Sequence, residues 1–346
     1  MAASAFITGL SGTALTAEER AFLRESDPWG VILFARNVDT PDQLRALVHS
    51  FHEAVGRAVA PVLIDQEGGR VQRLGPPHWP KYPPGAAFAR LYDIDPALGL
   101  AAARLGARLI AHDLVALGIS VDCLPLADVP VSGSDKIIGD RAYGTTPGKV
   151  AAIAAAVAEG LMAGGVLPVL KHIPGHGRAT ADSHHRLPVV DIDRATLEAT
   201  DFQAFRPLAG LPLAMTAHVV YSAIDSAPAT TSAIMIGNVI RDSIGFTGAL
   251  MSDDISMGAL SGTIAERTRA AFAAGCDFVL HCNGRLDEMR MVAAESPVLT
   301  GEAGRRADAA LAARHAPEPI DLAAAREKFA ALMQNGAFAA PDMAAS

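Results

Sequence analysis

Short apolar runs recur along this chain, each ending on polar or glycine residues: Ala5–Leu10, Val31–Ala35, Val62–Ile64, Ile119–Leu126, Leu167–Leu170, Leu213–Thr216, Ala249–Ser252 and Phe278–His281. Between them lie alanine-rich stretches with helical spacing, at Leu44–Val55, Leu98–Leu117, Val150–Met162, Ala195–Phe205 and Ile264–Ala274. The runs are continuous rather than alternating, as suits strands buried on both faces. Strands alternating with helices predict βαβ units and a parallel sheet. About eight such units is the number of a closed barrel. A doubly wound open sheet is the competing α/β arrangement, but no G-x-G-x-x-G follows the first run. We therefore expect a single (β/α)8 TIM-barrel domain over residues 1–346. Extra helices are expected from about Glu302, with a linker at Ala316–Asp321 and a poorly packed tail from about residue 336.

Catalytic groups of such a barrel sit where strands end and βα loops begin. The runs end in Asp65-Gln66-Glu67-Gly68-Gly69-Arg70, then Asp128, Lys171-His172, His218, Asp253-Asp254 and His281. A charge beside a core must be paired or solvated, so several on one face imply a polar, sugar-sized pocket. Composition narrows the partners. The net charge is -8 and no basic run occurs, which argues against nucleic acid. Cys123, Cys276 and Cys282 are odd in number and too few for a disulfide framework, so free thiols in a reducing compartment are expected. The first residues carry no positive segment and no long apolar one, so no secretory signal is expected. Ala151 to Leu170 is interrupted by Glu159, Gly164, Gly165 and Pro168, and reads as a helix and a buried strand rather than a membrane span. The expectation is a cytoplasmic monomer, with no metal and no organic cofactor.

The segment Lys171–Pro188, KHIPGHGRATADSHHRLP, follows the fifth run. It is far longer than the ~2–6 residues of most βα loops, and it holds four histidines and Asp182. Three readings compete. His172, His176, His184 and His185 are candidate metal ligands, although no H-E-x-x-H pattern is present. The histidines are otherwise solvated loop residues without chemistry. The third reading is general acid/base catalysis, in which Asp182 accepts from one ring nitrogen of His184 across a tight Asp182-Ser183-His184 turn and leaves the other nitrogen for a substrate proton.

K-H-I-P-G-H-G followed, after four residues, by D-S-H resembles the signature of family 3 glycoside hydrolases, in their bacterial β-N-acetylglucosaminidase (NagZ-type) branch. Ile64–Arg73, Ile138–Gly144, Met215–His218 and Met251–Met257 resemble further motifs of that branch, in order, from about residue 6 to about 285. The resemblance implies a retaining exo-β-N-acetylglucosaminidase that releases N-acetylglucosamine from 1,6-anhydro-muropeptides during cell-wall recycling. It assigns Asp253 as nucleophile, His184 as acid/base and Asp182 as its partner. It assigns Asp65, Arg73, Arg141, Lys171 and His172 to the sugar. Asp254 is then a structural neighbour, and strand alternation sends it away from Asp253.

Several residues keep a plainer reading. Arg70 and Arg73 can cap a helix or pair with surface acids. Asp128 reads as a structural strand-end acid, His218 and His281 as packed histidines, and Met257 as core or rim. Asp287-Glu288, a conceivable pair for substrate-assisted hexosaminidase chemistry, reads as a solvated helix face. Lys171 is the one candidate for aldolase-like lysine chemistry. Phosphorolysis and a non-catalytic sugar-binding barrel are the alternative functions.

Overall fold

The structure, a computed structural model, describes residues 3–337. Its centre is eight strands: β1 (Ser4–Gly9), β2 (Pro28–Leu33), β3 (Val62–Ile64), β4 (Val121–Asp122), β5 (Leu167–Ile173), β6 (Leu213–Thr216), β7 (Ala249–Asp254) and β8 (Phe278–His281). Each pairs in parallel with its sequence neighbours, and β8 returns to β1, closing a (β/α)8 barrel. The open-sheet alternative is excluded.

All eight apolar runs lie on these strands because alternate residues serve two different cores. Ala5, Ile7, Ile32, Leu63, Val121, Val169, Met215, Met251 and Leu280 fill the barrel. Phe6, Val31, Leu33, Val62, Leu170 and Leu250 face outward into the layer beneath the helices. The helix Gly301–Ala312 closes the barrel's lower end, where Leu299 and the small Ala307 and Ala310 join the interior cluster. The last helix, Leu322–Ala337, lays Phe329 against Phe88 and Tyr82, after the expected linker. The expected poorly packed tail lies, from residue 338 onward, outside the described residues. Among the described residues no helix is long and apolar enough to cross a membrane.

Two sequence boundaries need correction. The fifth strand does not stop at Leu170. Ile173 still pairs with Thr216, and Ala127 N–H donates to Lys171 O at 2.7 Å, so Lys171 and His172 are strand residues at the barrel mouth. The helix expected over Ala195–Phe205 is a short Arg194–Ala199 helix followed by two 3-10 turns. It breaks at Thr200, where the buried Asp201 turns to accept from Arg178 Nε at 2.6 Å. That side chain belongs to the long loop after β5, so the break serves the loop rather than the helix.

Candidate active site

A cavity of about 300 Å3 opens at the C-terminal mouth of the barrel. Asp65, Arg73, Arg141, Lys171, His172, His184 and Asp253 line it together, although they come from distant parts of the chain. Its floor is an ion-pair network. Lys171, only 2 % exposed, donates from Nζ to Asp65 at 2.9 Å and to Glu67 at 2.7 Å. Arg73 reaches the other oxygen of Asp65 at 2.9 Å, and Arg141 grips Glu67 through two bonds of 2.8 Å. Burial alone pushes both carboxyls up, but Lys171 with Arg73, and Lys171 with Arg141, hold Asp65 and Glu67 below the ordinary range. Burial likewise disfavours the Lys171 ammonium, and Asp65 and Glu67 more than offset it, so its pKa is raised. Two carboxylates meet three cations, leaving this floor with surplus positive charge and with donors and acceptors in fixed places.

Asp253 sits across the cavity at the end of β7. Burial raises its carboxyl, and the charges of His218 and His172, the Asp254 N–H and His184 bring it below the ordinary value. One oxygen accepts the Asp254 N–H at 2.7 Å. Asp254 also borders the cavity, contrary to strict alternation, because the β7–β8 ladder shifts register between Met251 and Asp254. The two aspartates differ in what already holds them. Asp254 accepts from Ser256 N and Oγ at 3.0 and 2.7 Å and from Cys282 N at 3.1 Å, so it is spent on the loop it begins.

The four histidines of the Lys171–Pro188 segment go to different places. Asp128 accepts from the His172 ring at 2.8 Å and from the His176 N–H at 2.6 Å. His176 is buried and reaches Ser183 Oγ at 3.1 Å. His184 Nδ1 lies 2.7 Å from Asp182 Oδ1, which also accepts the His184 N–H at 2.9 Å. With Asp182 ionised, the proton belongs on Nδ1 and Nε2 is left free. Burial raises the Asp182 carboxyl, but the His184 N–H and ring outweigh it and lower the pKa. His185 is 83 % exposed and 3.9 Å from Asp182.

The remaining candidates divide. Arg70 lines the cavity and also pairs with the surface acid Asp140. Met257 is a rim residue. His218 spans Thr230 Oγ1 and the Asp254 carbonyl, and His281 meets Glu288, so neither borders the cavity. Glu288 is thereby engaged rather than freely solvated, while Asp287 lies exposed.

The sequence profile of the glycosyl hydrolase family 3 N-terminal domain matches residues 6–314, most of the chain. The chain belongs to glycosyl hydrolase family 3. Among its relatives in this family, a beta-hexosaminidase of Alkalilimnicola ehrlichii is 43 % identical over 279 residues, covering 80 % of this chain and 79 % of that one. A beta-hexosaminidase of Aromatoleum aromaticum is 36 % identical over 317 residues, covering 90 % and 88 %. Native NagZ from Neisseria gonorrhoeae superposes with a TM-score of 0.84 at 31 % identity, over 99 % of each chain. The same NagZ in complex with N-trifluoroacetyl-D-glucosamine gives the same score, identity and coverage.

Two residues beneath and beside the cavity of this family 3 hydrolase had no role assigned to them from the sequence. Glu67 is the hub joining Lys171 to Arg141, and its signal was the Asp65-x-Glu67 spacing, which returns to the same side of an extended segment. Phe34 carries the Arg73 guanidinium 5.3 Å above its ring, and lay inside the apolar run Val31–Ala35 without any polar signal.

The buried histidine gives this hydrolase a predictable acid response. Burial, then His172, pushes His176 down to about 4, against the pull of Asp128 and Asp253. A depressed folded-state pKa contributes stability above the unfolded value of 6.5, lost as pH falls towards the folded value. At about 1.4 kcal/mol per unit, this group alone removes on the order of 3 kcal/mol between pH 7 and pH 4. Asp128, held at about 2, adds a further loss only below its ordinary value. Urea unfolding at pH 7, 5 and 4 should show a shallower decline in His176→Gln, and an unchanged slope would remove His176 from this account.

Proposed function

We propose that this family 3 hydrolase is a retaining exo-β-N-acetylglucosaminidase. Its substrate would be the β-1,4 bond of N-acetylglucosaminyl 1,6-anhydro-muropeptides, cleaved in the cytoplasm during peptidoglycan recycling. The observation that carries the reading is one sugar-sized cavity bordered by both Asp253 and His184 and floored by the Asp65–Lys171–Arg73 network. The beta-hexosaminidase relatives and the NagZ complex with N-trifluoroacetyl-D-glucosamine support the sugar. Three unpaired cysteines support a reducing compartment.

In this reading Asp65 accepts from adjacent sugar hydroxyls, and Lys171, Arg73 and Arg141 donate to hydroxyls or the acetamide carbonyl. The Asp253 carboxylate attacks the anomeric carbon as the glycosidic C–O bond breaks, and His184, entering this step as the imidazolium with a proton on each ring nitrogen, gives its Nε2 proton to the departing oxygen. The product is a glycosyl ester on Asp253. Water then attacks the same carbon, His184 takes its proton, and Asp253 leaves as carboxylate. Two inversions retain the β configuration. A neutral imidazole in the base step adds no second full negative charge beside Asp253, which we take as the advantage of histidine over the usual carboxylate. A closed floor admits one terminal sugar, hence exo action. Arg70 at the rim supports an aglycone bearing carboxylates, despite the net charge of -8.

The test is proton NMR of cleavage of a disaccharide anhydro-muropeptide. We expect β-N-acetylglucosamine as the first-formed anomer. The α anomer first would overturn retention, sugar 1-phosphate in phosphate buffer would replace hydrolysis by phosphorolysis, and an uncleaved muropeptide beside cleaved chitobiose would overturn the recycling substrate.

A further inference from the structure

His184 is carried on a loop, and its side chain is 58 % exposed, so its partnership with Asp182 does not explain what holds it at the cavity. The anchors along that loop answer part of the question. Near its root, Arg178 pairs with Asp201, and Asp135 N–H donates to Ala179 O at 2.8 Å. Gly177 packs so tightly on Val129 that a Cβ would sit 2.2 Å from its carbonyl. These fix the loop up to about residue 179. Beyond it, His176 touches the Ser183 hydroxyl.

The backbone beside His184 is held by a different element. Gly258 N–H donates to His184 O at 3.1 Å, and Ala259 N–H donates to Ser183 O at 3.1 Å. These donors lie in the loop that directly follows β7, the strand that ends in Asp253 and Asp254. That loop is braced along its length. Asp254 ties Ser256 and Cys282, Met257 N–H returns to Asp254 O at 3.1 Å, and Arg267 Nη1 donates to Ile255 O and Met257 O at 2.8 and 3.1 Å. One short, rigid piece of chain therefore has the nucleophile candidate at its root and the acid/base candidate hanging from its tip.

Glycine at 258 is required for space. A Cβ there would lie 2.9 Å from His184 O, 3.0 Å from His185 O and 3.2 Å from His185 C, all backbone atoms. The residue is exposed, so a methyl group would disturb no core. We propose that Gly258 is a positioning residue: its missing side chain lets the nucleophile's own loop seat the His184 backbone and set the height of the His184 ring over Asp253. The inference rests on the acid/base reading of His184 given above. It extends that reading by making the separation of the two reacting groups, on which retention depends, a property of one loop.

The test is Gly258→Ala, assayed on two β-N-acetylglucosaminides. One has a sugar or alkyl leaving group that must be protonated, and the other an aryl leaving group acidic enough to depart unaided. A displacement of about 1 Å costs roughly a hundredfold where a proton must be delivered. We expect kcat/KM to fall roughly ten- to a hundredfold on the first substrate and less than about threefold on the second. Added azide should raise kcat on the aryl substrate and yield the glycosyl azide, with the melting midpoint unchanged. His184→Ala is run beside it as reference. If Gly258→Ala loses activity equally on both substrates, or loses none, while His184→Ala shows the leaving-group dependence, the latch is wrong and the acid/base stands. If His184→Ala itself shows no such dependence, the acid/base reading fails and the latch fails with it.

Discussion

Asp253→Asn is expected to lower kcat on a β-N-acetylglucosaminide by roughly ten-thousand- to a million-fold, the scale on which loss of a nucleophile stops a two-step mechanism. The amide keeps the shape of the carboxylate and can still accept the Asp254 N–H, so the fold should be undisturbed. What disappears is the charge that attacks the anomeric carbon in the proposed mechanism. Asp254→Asn is the informative comparison. Its carboxylate is held by Ser256 and Cys282, so its loss should loosen the loop and slow the enzyme without abolishing the covalent step. A slowly hydrolysed fluorinated N-acetylglucosaminide should leave a mass adduct on the wild-type peptide spanning both residues. Fragmentation should place it on Asp253. An adduct on Asp254 would move the nucleophile by one residue.

The barrel was legible because its strands are buried on both sides and therefore read as continuous apolar runs. The ends of those runs marked the mouth for the same reason: Asp65, Lys171 and Asp253 are charges set directly against a core, which a chain tolerates only where they are paired or used. What stayed hidden depends on contacts between distant segments. Nothing local to Glu67 says that Lys171 and Arg141 will both close on it. Nothing in Ala195–Phe205 announces that Asp201 must leave its helix to hold Arg178. Alternation failed for Asp253 and Asp254 because it assumes a regular ladder, and this ladder shifts register at that place. The spacing of Asp182 and His184, by contrast, was readable, since a two-residue turn is decided within the segment that carries it.

His184→Ala is expected to cost roughly a hundred- to ten-thousandfold in kcat/KM on a substrate with a sugar leaving group, the usual range for one general acid. The loss should be far smaller on a substrate whose aryl leaving group departs without protonation. Asp182→Ala should cost less than His184→Ala. The imidazole stays, but Nδ1 loses its acceptor, both tautomers become populated, and the imidazolium formed in the base step loses the carboxylate 2.7 Å away. His185→Ala serves as the adjacent control. That ring lies 3.9 Å from Asp182, is largely in solvent and does not border the cavity, so near-normal rates are expected. A His185→Ala enzyme slower than His184→Ala would transfer the acid/base role to the next residue. It would also break the geometric link between the Asp182 turn and the cavity, because the Nδ1 bond that orients His184 would then orient nothing that reacts.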